Sequence, residues 1–318
     1  MANQPLVLVL STSNDRQLSQ LAAISHIVAG SAGELNASTN TAEVILHWYA
    51  PRDLLRAAFL ASPNLRWIHS RSAGLDNLLF PELVASPVPL TNGTGVFSPS
   101  LGEFALAAIL YFAKDFRRML RNQDAGRWEQ FDVDEVAGQS VGIIGYGDIG
   151  RAVATRVHAM GMRVLALKRH APASADPLVA QFYRPDELVT MLNYCDYVVA
   201  AAPLTPETRH MIGDSAFAAM KPNAIVINIG RGPVIDQAAL VRALAERRIN
   251  GAALDVFEQE PIPPGDPIYK LENVLVSPHC ADHTKDWLDQ AMRFFLQQYK
   301  RFSNIQPLQN VVEKHLGY

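Results

Sequence analysis

The chain has little cysteine, no excess of charge and no long hydrophobic run. Its 318 residues include two cysteines, Cys195 and Cys280, with no pattern of Cys and His typical of a zinc site. A disulfide framework and a metal site are therefore not expected. Lys and Arg number 28 against 31 Asp and Glu, without a block of like charge. The sequence thus shows no footprint for nucleic acid or an anionic membrane surface.

The hydrophobic patterning also lacks any membrane signal. The longest apolar run, Phe104–Ala113, is far shorter than the roughly 20 residues needed to span a bilayer. The N-terminal apolar stretch has no basic residues before it, so no secretory signal is predicted. With so few cysteines, these features predict a cytoplasmic protein that has no membrane partner and no nucleic-acid partner.

What the chain does have is a regular alternation of two kinds of segment. Short runs rich in Val, Ile and Leu alternate with segments of helical period, which is typical of βαβ units on a parallel sheet. We predict an α/β fold with two doubly wound, Rossmann-like parallel-sheet domains. The predicted strands are Leu6–Leu10, Glu43–Trp48, Leu65–His69, Val88–Thr91, Val141–Gly145, Arg163–Leu167, Tyr197–Ala201, Ala224–Ile229, Gly251–Val256 and Val274–Ser277. The predicted helices include Asp15–Val28, Arg52–Leu60, a long helix from Ser98 through Arg121, and Lys285–Phe302.

A glycine-rich loop follows the strand predicted at Val141–Gly145. The strand runs directly into a Gly-x-Gly-x-x-Gly pattern and then into a helix that continues to about Met160. The first glycine permits a tight turn, the second lets a pyrophosphate approach the backbone, and the third lets helix and strand pack closely. The predicted dinucleotide-binding residues are Gly145, Tyr146, Gly147, Asp148, Ile149 and Gly150.

The end of the next predicted strand bears on the choice of cofactor. An acidic residue is expected here when the adenosine ribose carries a free 2′-hydroxyl, but this chain has Lys168, Arg169 and His170. Lys168 and Arg169 could neutralise a 2′-phosphate, and the neighbouring sequence offers no carboxylate. We therefore predict NADP(H) as the preferred cofactor and NAD(H) as a possible one. A solvated strand end with two cations is the structural alternative.

Three further segments each follow a predicted strand and carry candidate catalytic residues. They are INIGRGPVID (Ile227–Asp236), LDVFEQEP (Leu254–Pro261) and SPHCADHT (Ser277–Thr284). Because the carboxyl ends of the strands share one edge of an open parallel sheet, we expect Arg231, Glu260 and His279 to converge there.

With these motifs the chain resembles the D-isomer-specific 2-hydroxyacid dehydrogenase family. The resemblance covers nearly the full length and extends to AAPLTPETRHMIG (Ala201–Gly213) and SAGLDNL (Ser72–Leu78). It implies a discontinuous substrate domain, residues 1–97 completed by 284–318, and a dinucleotide-binding domain of residues 98–283. It also implies a homodimer that forms through the long helix after Ser98.

The resemblance assigns roles to residues outside the glycine loop. Pro203 and Thr208 would lie at the cofactor, and Asp255 near the nicotinamide amide. The backbone amides of Ala73 and Gly74 would receive an oxygen of the substrate carboxylate. Spacing alone proves none of these roles.

The three candidate catalytic residues suit the reduction of a 2-oxo acid. Hydride addition leaves negative charge on an oxygen that must be protonated, and His279 can supply a proton near neutral pH. A hydrogen-bonded Glu260 would favour the imidazolium and orient the ring. The planar guanidinium of Arg231 can hold the substrate carboxylate and polarise the carbonyl. Each residue taken singly could be structural, whereas their joint order favours catalysis.

Within the family, the segment ILHWYAP (Ile45–Pro51) resembles the glyoxylate/hydroxypyruvate reductases. Trp48 would form an aromatic wall of a small substrate pocket, although a strand tryptophan can equally be part of the core. We therefore predict a reductase that converts glyoxylate or hydroxypyruvate to the 2-hydroxy acid. The alternatives are a reductase of a larger 2-oxo acid and a nucleotide-sensing, corepressor-like binding protein.

Some residues depart from the family pattern or have no assigned role. The segment after the candidate acid contains Cys280, Asp282 and His283, where the family carries small or apolar residues. Asp282 and His283 are interpreted as caps of the final helix, and Cys280 as a buried apolar residue. Arg71 lies one place away from a substrate-contacting arginine of some relatives. His210 has no partner pattern and is interpreted as structural.

Overall fold

Every strand pair in the described part of the chain is parallel. The structure is a computed structural model that describes residues 4–170 and 174–317. The strands are β1 (Val7–Ser11), β2 (His26–Ala29), β3 (Val44–Tyr49), β4 (Trp67–Ser70), β5 (Leu90–Thr91), β6 (Ser140–Ile144), β7 (Arg163–Leu167), β8 (Gln181–Tyr183), β9 (Tyr197–Ala200), β10 (Ile225–Asn228), β11 (Gly251–Leu254) and β12 (Val274–Val276). The helices are α1 (Arg52–Ala61), α2 (Pro81–Ala85), α3 (Ser98–Ala113), α4 (Phe116–Asp124), α5 (Asp148–Ala159), α6 (Leu188–Leu192), α7 (Asp214–Ala219), α8 (Gln237–Ala245) and α9 (Trp287–Ser303).

The chain divides into two compact units. One unit consists of Met1–Phe97 and Thr284–Tyr318, and the other of Ser98–His283. The first has a five-stranded sheet in the order β2-β1-β3-β4-β5, and the second a seven-stranded sheet in the order β12-β11-β10-β9-β6-β7-β8. Among the described residues, no helix combines the length and apolar character that crossing a bilayer requires.

The first unit buries its central strands on both faces. All five residues of β1 are buried, as expected for a parallel sheet covered by helices. The C-terminal segment closes this unit: Phe295 of α9 stacks on Trp67 of β4, with ring centroids 5.6 Å apart. Beside them, His69 bonds through Nδ1 to the hydroxyl of Thr91 at 2.8 Å. Burial lowers the pKa of His69 to about 3, so this histidine is a neutral core residue.

The second unit has the strand order of a doubly wound dinucleotide-binding sheet. The order reverses between β6 and β9, and ligands of such sheets bind beyond the carboxyl ends of the strands at that point. Helix α3 packs on α5 at very short distance, because a Cβ on Gly102 would lie 2.9 Å from the carbonyl oxygen of Ala152. The loops that follow β6, β9, β10, β11 and β12 lie at the binding edge, because the carboxyl ends of parallel strands share one edge of the sheet.

The structure corrects three of the predicted elements. The helix predicted at Asp15–Val28 is a 3₁₀ segment, Arg16–Ala23, followed by strand β2, which pairs with β1 at the sheet edge. The single helix predicted after Ser98 is two helices, because Asp115 adopts a left-handed backbone (φ 47°) and caps α4. Strand β8 was not predicted, since three residues at a sheet edge show little periodicity.

Candidate active site

The glycine loop occupies the point at which the strand order reverses. Gly145 has φ +93°, and a Cβ there would lie 2.6 Å from the backbone nitrogen of Ala202. A Cβ on Gly150 would lie 2.3 Å from the carbonyl oxygen of Gly145. By contrast, a Cβ on Gly147 would meet no atom within 4 Å. The loop thus leaves open space at the N-terminus of α5, where amide groups and the helix dipole favour a pyrophosphate.

The second residue of the loop, Tyr146, lines a cavity beside that open space. The cavity has a volume of about 430 Å³, and its lining includes Gly147 and Lys168. The hydroxyl of Tyr146 donates to Asp176 Oδ2 at 2.9 Å, and Arg151 Nε donates to the same oxygen at 3.0 Å. Burial, followed by the bond with Asp176, raises the pKa of Tyr146 above its usual range. A carboxylate therefore lies in this cavity, contrary to what the neighbouring sequence indicated.

The basic end of β7 lies beside the end of β8. The amide of Lys168 donates to the carbonyl of Tyr183 at 2.9 Å, which extends the strand pairing and brings Arg184 to the same edge. Arg169, His170 and Arg184 line a further cavity of about 760 Å³. The guanidinium of Arg169 lies 3.6 Å from the Glu207 carboxylate. This cavity offers cationic groups to a phosphate, although two of them already have acidic partners, Glu207 beside Arg169 and Asp186, which accepts from Arg184 at 3.2 Å.

His279 and Glu260 meet at the carboxyl edge of the sheet. Nδ1 of His279 lies 2.6 Å from Glu260 Oε2, a distance typical of a strong, charge-assisted hydrogen bond. The other carboxylate oxygen of Glu260 accepts from the amide of Phe257 at 2.9 Å. Because Glu260 engages Nδ1, the other ring nitrogen, Nε2, is the one left for an exchangeable proton. Both side chains are partly exposed.

The turn that carries His279 is held by the buried carboxylate of Asp255. Its Oδ1 accepts from the hydroxyl of Ser277 at 2.6 Å and from the amides of Cys280 and Ala281 at 2.9 and 3.1 Å. The amide of His279 donates to the backbone oxygen of Asp255 at 3.0 Å. These bonds satisfy a turn in which His279 has a left-handed backbone, φ 51°.

Arg231 follows β10 in a loop that packs directly on the segment containing Glu260. A Cβ on Gly232 would lie 1.9 Å from the carbonyl of Phe257, so the two backbones could not approach this closely with any other residue. One guanidinium nitrogen of Arg231 donates to the carbonyl of Gly230 at 2.7 Å. The three predicted catalytic residues thus belong to adjoining loops of one unit.

Comparison with known proteins places this architecture in a family. Residues 106–281 match the model of the D-isomer specific 2-hydroxyacid dehydrogenase, NAD binding domain. A glyoxylate reductase of Korarchaeum cryptofilum is 39% identical over 229 residues, 70% of this chain and 68% of the relative. A solved D-isomer specific 2-hydroxyacid dehydrogenase of Xanthobacter autotrophicus, in complex with NADPH and MES, has a TM-score of 0.87 at 30% identity and covers 99% of this chain and 100% of its own.

This chain belongs to the D-isomer specific 2-hydroxyacid dehydrogenase family. The predicted α/β fold, the oxidoreductase class and an NAD(P)-type cofactor are thereby confirmed. A solved NADPH-dependent glyoxylate/hydroxypyruvate reductase of Sinorhizobium meliloti, 26% identical, has a TM-score of 0.86 and covers 99% of this chain and 100% of its own.

The dehydrogenase places its predicted substrate residues in the first unit. Ala73 and Gly74 lie in a turn after β4, where the carbonyl of Ala73 accepts from the side chain of Asn92 at 2.7 Å. Trp48 is only 1% exposed, and its indole nitrogen donates to Asp15 Oδ2 at 2.8 Å. The guanidinium carbon of Arg71 lies 5.2 Å from the Trp48 ring centroid. Trp48 is thus a core residue.

The loop after β9 uses its polar groups internally. The hydroxyl of Thr208 donates to the carbonyl of Pro203 at 2.7 Å and accepts from the amide of Thr205 at 2.8 Å. These bonds shape the loop next to the glycine turn. The roles of Pro203 and Thr208 at the cofactor stay predictions, because the hydroxyl of Thr208 bonds within the loop.

Two structural interpretations of the segment after His279 are wrong. Cys280 is exposed, and the sulfur lies 3.5 Å from the hydroxyl of Ser277. Asp282 and His283 do not cap the final helix, because α9 begins at Trp287 and its N-cap position is Asp286. In the part of the chain that the structure describes, no group of three or more acidic, His or Cys side chains could hold a metal ion.

A second histidine–glutamate pair lies in the same unit and is not predicted from the sequence. Nε2 of His210 lies 2.7 Å from Glu258 Oε1, although these residues come from different loops. The amide of Gln237 donates to the same oxygen at 3.2 Å. This pair ties together the loops after β9 and β11. The sequence signal that could have suggested this pair is the presence of Glu258 two positions before Glu260.

The glycine loop yields a prediction about cofactor binding. Gly147→Ala should change the free energy of unfolding by no more than about 1 kcal/mol, because its Cβ would enter open space. The same methyl group would hold a pyrophosphate away from the backbone amides, so the Kd for NADPH should rise about tenfold or more.

Gly145→Ala is the matched comparison. It should destabilise the protein by more than about 2 kcal/mol, because φ is positive and the Cβ would collide with the backbone at Ala202. Urea unfolding and fluorescence titration with NADPH measure both quantities. Unchanged NADPH affinity in Gly147→Ala would show that the loop does not bind the cofactor as expected.

Proposed function

We propose that this dehydrogenase reduces a small 2-oxo acid, glyoxylate or hydroxypyruvate, to the corresponding 2-hydroxy acid with NADPH. The observation that carries the proposal is the 2.6 Å bond between His279 and Glu260, in the same unit as the glycine loop. Support for the substrate comes from curated relatives named glyoxylate reductase and glyoxylate/hydroxypyruvate reductase.

The side chains divide the work of the reaction among them. NADPH, when bound, supplies the hydride for the carbonyl carbon. His279 holds the proton for the carbonyl oxygen on Nε2, because its Nδ1 is engaged by Glu260. Arg231 binds the substrate carboxylate with its planar guanidinium and draws electron density from the adjacent carbonyl. The amides of Ala73 and Gly74 receive the other carboxylate oxygen.

The cofactor site uses the glycine loop and the basic strand end. The space at Gly147 fits a pyrophosphate, and Lys168 lines the adjoining cavity. Lys168 and Arg169 bind the 2′-phosphate of NADPH by charge, and Asp255 lies near the nicotinamide amide. Asp176 does not oppose this arrangement strongly, because Arg151 and the Tyr146 hydroxyl already pair with it.

Steady-state kinetics with purified protein test the reaction and its proton donor. NADPH oxidation, followed by absorbance, should be fast with glyoxylate and hydroxypyruvate. His279→Ala should lower kcat by about 10²- to 10⁴-fold, because the developing alkoxide loses its proton source. Arg231→Lys should raise KM for the oxo acid about tenfold or more, because lysine keeps the charge but not the two-pronged geometry.

His210→Ala serves as the control for this test. It removes a histidine of a similar glutamate pair that we do not place at the substrate, so kcat should stay within about threefold of the wild-type value. A His279→Ala variant with nearly wild-type kcat would refute the assignment of the proton donor.

The choice between NADPH and NADH can be tested with substitutions at the two ends of β7. Replacing Lys168 and Arg169 together by Gln should lower the NADPH/NADH ratio of kcat/KM about tenfold or more, because the 2′-phosphate loses its charged partners. Arg163→Gln, at the opposite end of β7, is the control and should leave the ratio unchanged. An unaltered ratio in the double variant would contradict the proposed cofactor preference.

We further propose that the enzyme is a cytoplasmic homodimer, formed through α3, α4 and the segment after α4. Support comes from the large apolar side chains that α4 and this segment expose, namely Phe116, Met119, Leu120, Trp128 and Val133. Trp128 is 97% exposed, and clustered apolar surface of this kind commonly marks an interface.

Sedimentation equilibrium tests the dimer. The wild-type mass should be twice the 34.9 kDa of one chain. Leu120→Asp with Trp128→Asp should give monomers, because burying two carboxylates in an apolar interface is costly. Leu60→Asp, an exposed apolar position on α1, should remain dimeric. A monomeric wild-type protein would contradict the proposal.

A further inference from the structure

The turn after β4 contains two adjacent backbone amides that bond to nothing in the described part of the chain. Ala73 and Gly74 are half-buried, and neither amide donates to any residue that the structure describes. Backbone donors in a folded protein are nearly always paired with protein or water. Neighbouring N–H groups that point the same way commonly bind an anion. The turn is therefore suited to receive a carboxylate.

The carbonyl groups of the same turn show which way its amides point. The carbonyl of Ser72 accepts from the amide of Gly93 at 3.2 Å, and that of Ala73 accepts from Asn92 Nδ2 at 2.7 Å. Both carbonyls thus face the segment that follows β5. Both peptide bonds are trans, and in a planar trans peptide the N–H points opposite to the C=O. The amides of Ala73 and Gly74 therefore point together, away from that segment.

The side chain of Asn92 is itself held in one orientation. It is buried, and its Oδ1 accepts from the amide of Thr94 at 3.3 Å. This bond identifies the other side-chain atom, Nδ2, as the donor to the turn. The carbonyl of Thr94 in turn accepts from Asn310 Nδ2 at 2.7 Å. The segment that carries Asn92 is thereby tied to the C-terminal part of the same unit.

We propose that Asn92 is a positioning residue for the substrate carboxylate. By holding the carbonyl of Ala73, it directs the amide of Gly74, which lies in the same peptide plane, at the carboxylate. This inference rests on the proposed function, which places the substrate carboxylate on these two amides. A donor that is already oriented binds an anion more tightly than one that must first rotate into position.

Asn92→Leu removes the donor and keeps a side chain of similar size. The KM for glyoxylate and for hydroxypyruvate should rise about 10- to 100-fold, because a charge-assisted hydrogen bond to the carboxylate is misaligned. The kcat should stay within about threefold, because the carboxylate is bound in both the ground state and the transition state. The Kd for NADPH should not change, since the glycine loop belongs to the other unit. A general loss of structure would not separate these three quantities.

Two further variants distinguish positioning from folding. Asn92→Ser keeps an oxygen for the amide of Thr94 but is too short to reach Ala73, so KM should rise as in Asn92→Leu. Gln298→Leu is the matched control, because Gln298 is also buried in the first unit and donates to the carbonyl of Gln309 at 3.3 Å. It should lower stability in urea and leave KM within about threefold of wild type.

Binding of oxalate to the complex with NADPH tests Asn92 without turnover. Oxalate carries the carboxylate in question, so its Kd, measured by calorimetry, should rise about tenfold or more in Asn92→Leu. An unchanged Kd, or no binding to the wild-type protein, would overturn the proposal. A rise in KM that Gln298→Leu reproduces would make Asn92 a residue that supports the fold only. Failure of the wild-type protein to oxidise NADPH with either oxo acid, while oxalate binding follows Asn92, would instead refute the proposed function.

Discussion

Parallel pairing in the seven-stranded sheet is the constraint on which the candidate active site depends. Parallel strands require crossovers, which cover both faces of the sheet and demand the continuous apolar runs seen in β6 and β9. The same geometry brings all carboxyl ends to one edge. The glycine loop, Arg231, Glu260 and His279 lie in loops at that edge although long stretches of chain separate them. Chemistry at this site is therefore a product of topology.

Precision within the site comes from backbone contacts and one buried carboxylate. Asp255 holds the turn of His279 through both its side chain and its backbone oxygen. Gly232 allows the loop of Arg231 to touch the segment that carries Glu260. These contacts fix the backbone from which the partly exposed side chain of His279 projects, and so they set the position of its ring relative to Glu260.

Charge at the cofactor cavities is balanced by neighbouring groups. The sequence around Lys168 suggested a purely basic environment, whereas the structure adds Asp176 to the same cavity and pairs it with Arg151 and Tyr146. A carboxylate already bonded to a cation and a phenol contributes less repulsion toward a phosphate than a lone one. The net charge of this cavity thus depends on the difference between cations and a neutralised acid, which no single segment reveals.

The sequence by itself determined the α/β class, the position of most strands, the glycine loop and the identity of the three predicted catalytic residues. These features depend on periodicity and on local backbone requirements, which a short segment expresses on its own. Only the tertiary structure decided that β2 is a strand, that Trp48 is buried and that Asp176 lines the cavity beside the glycine loop. Each of these depends on neighbours that are distant in the chain, and the pairing of distant residues leaves no local pattern from which it can be predicted.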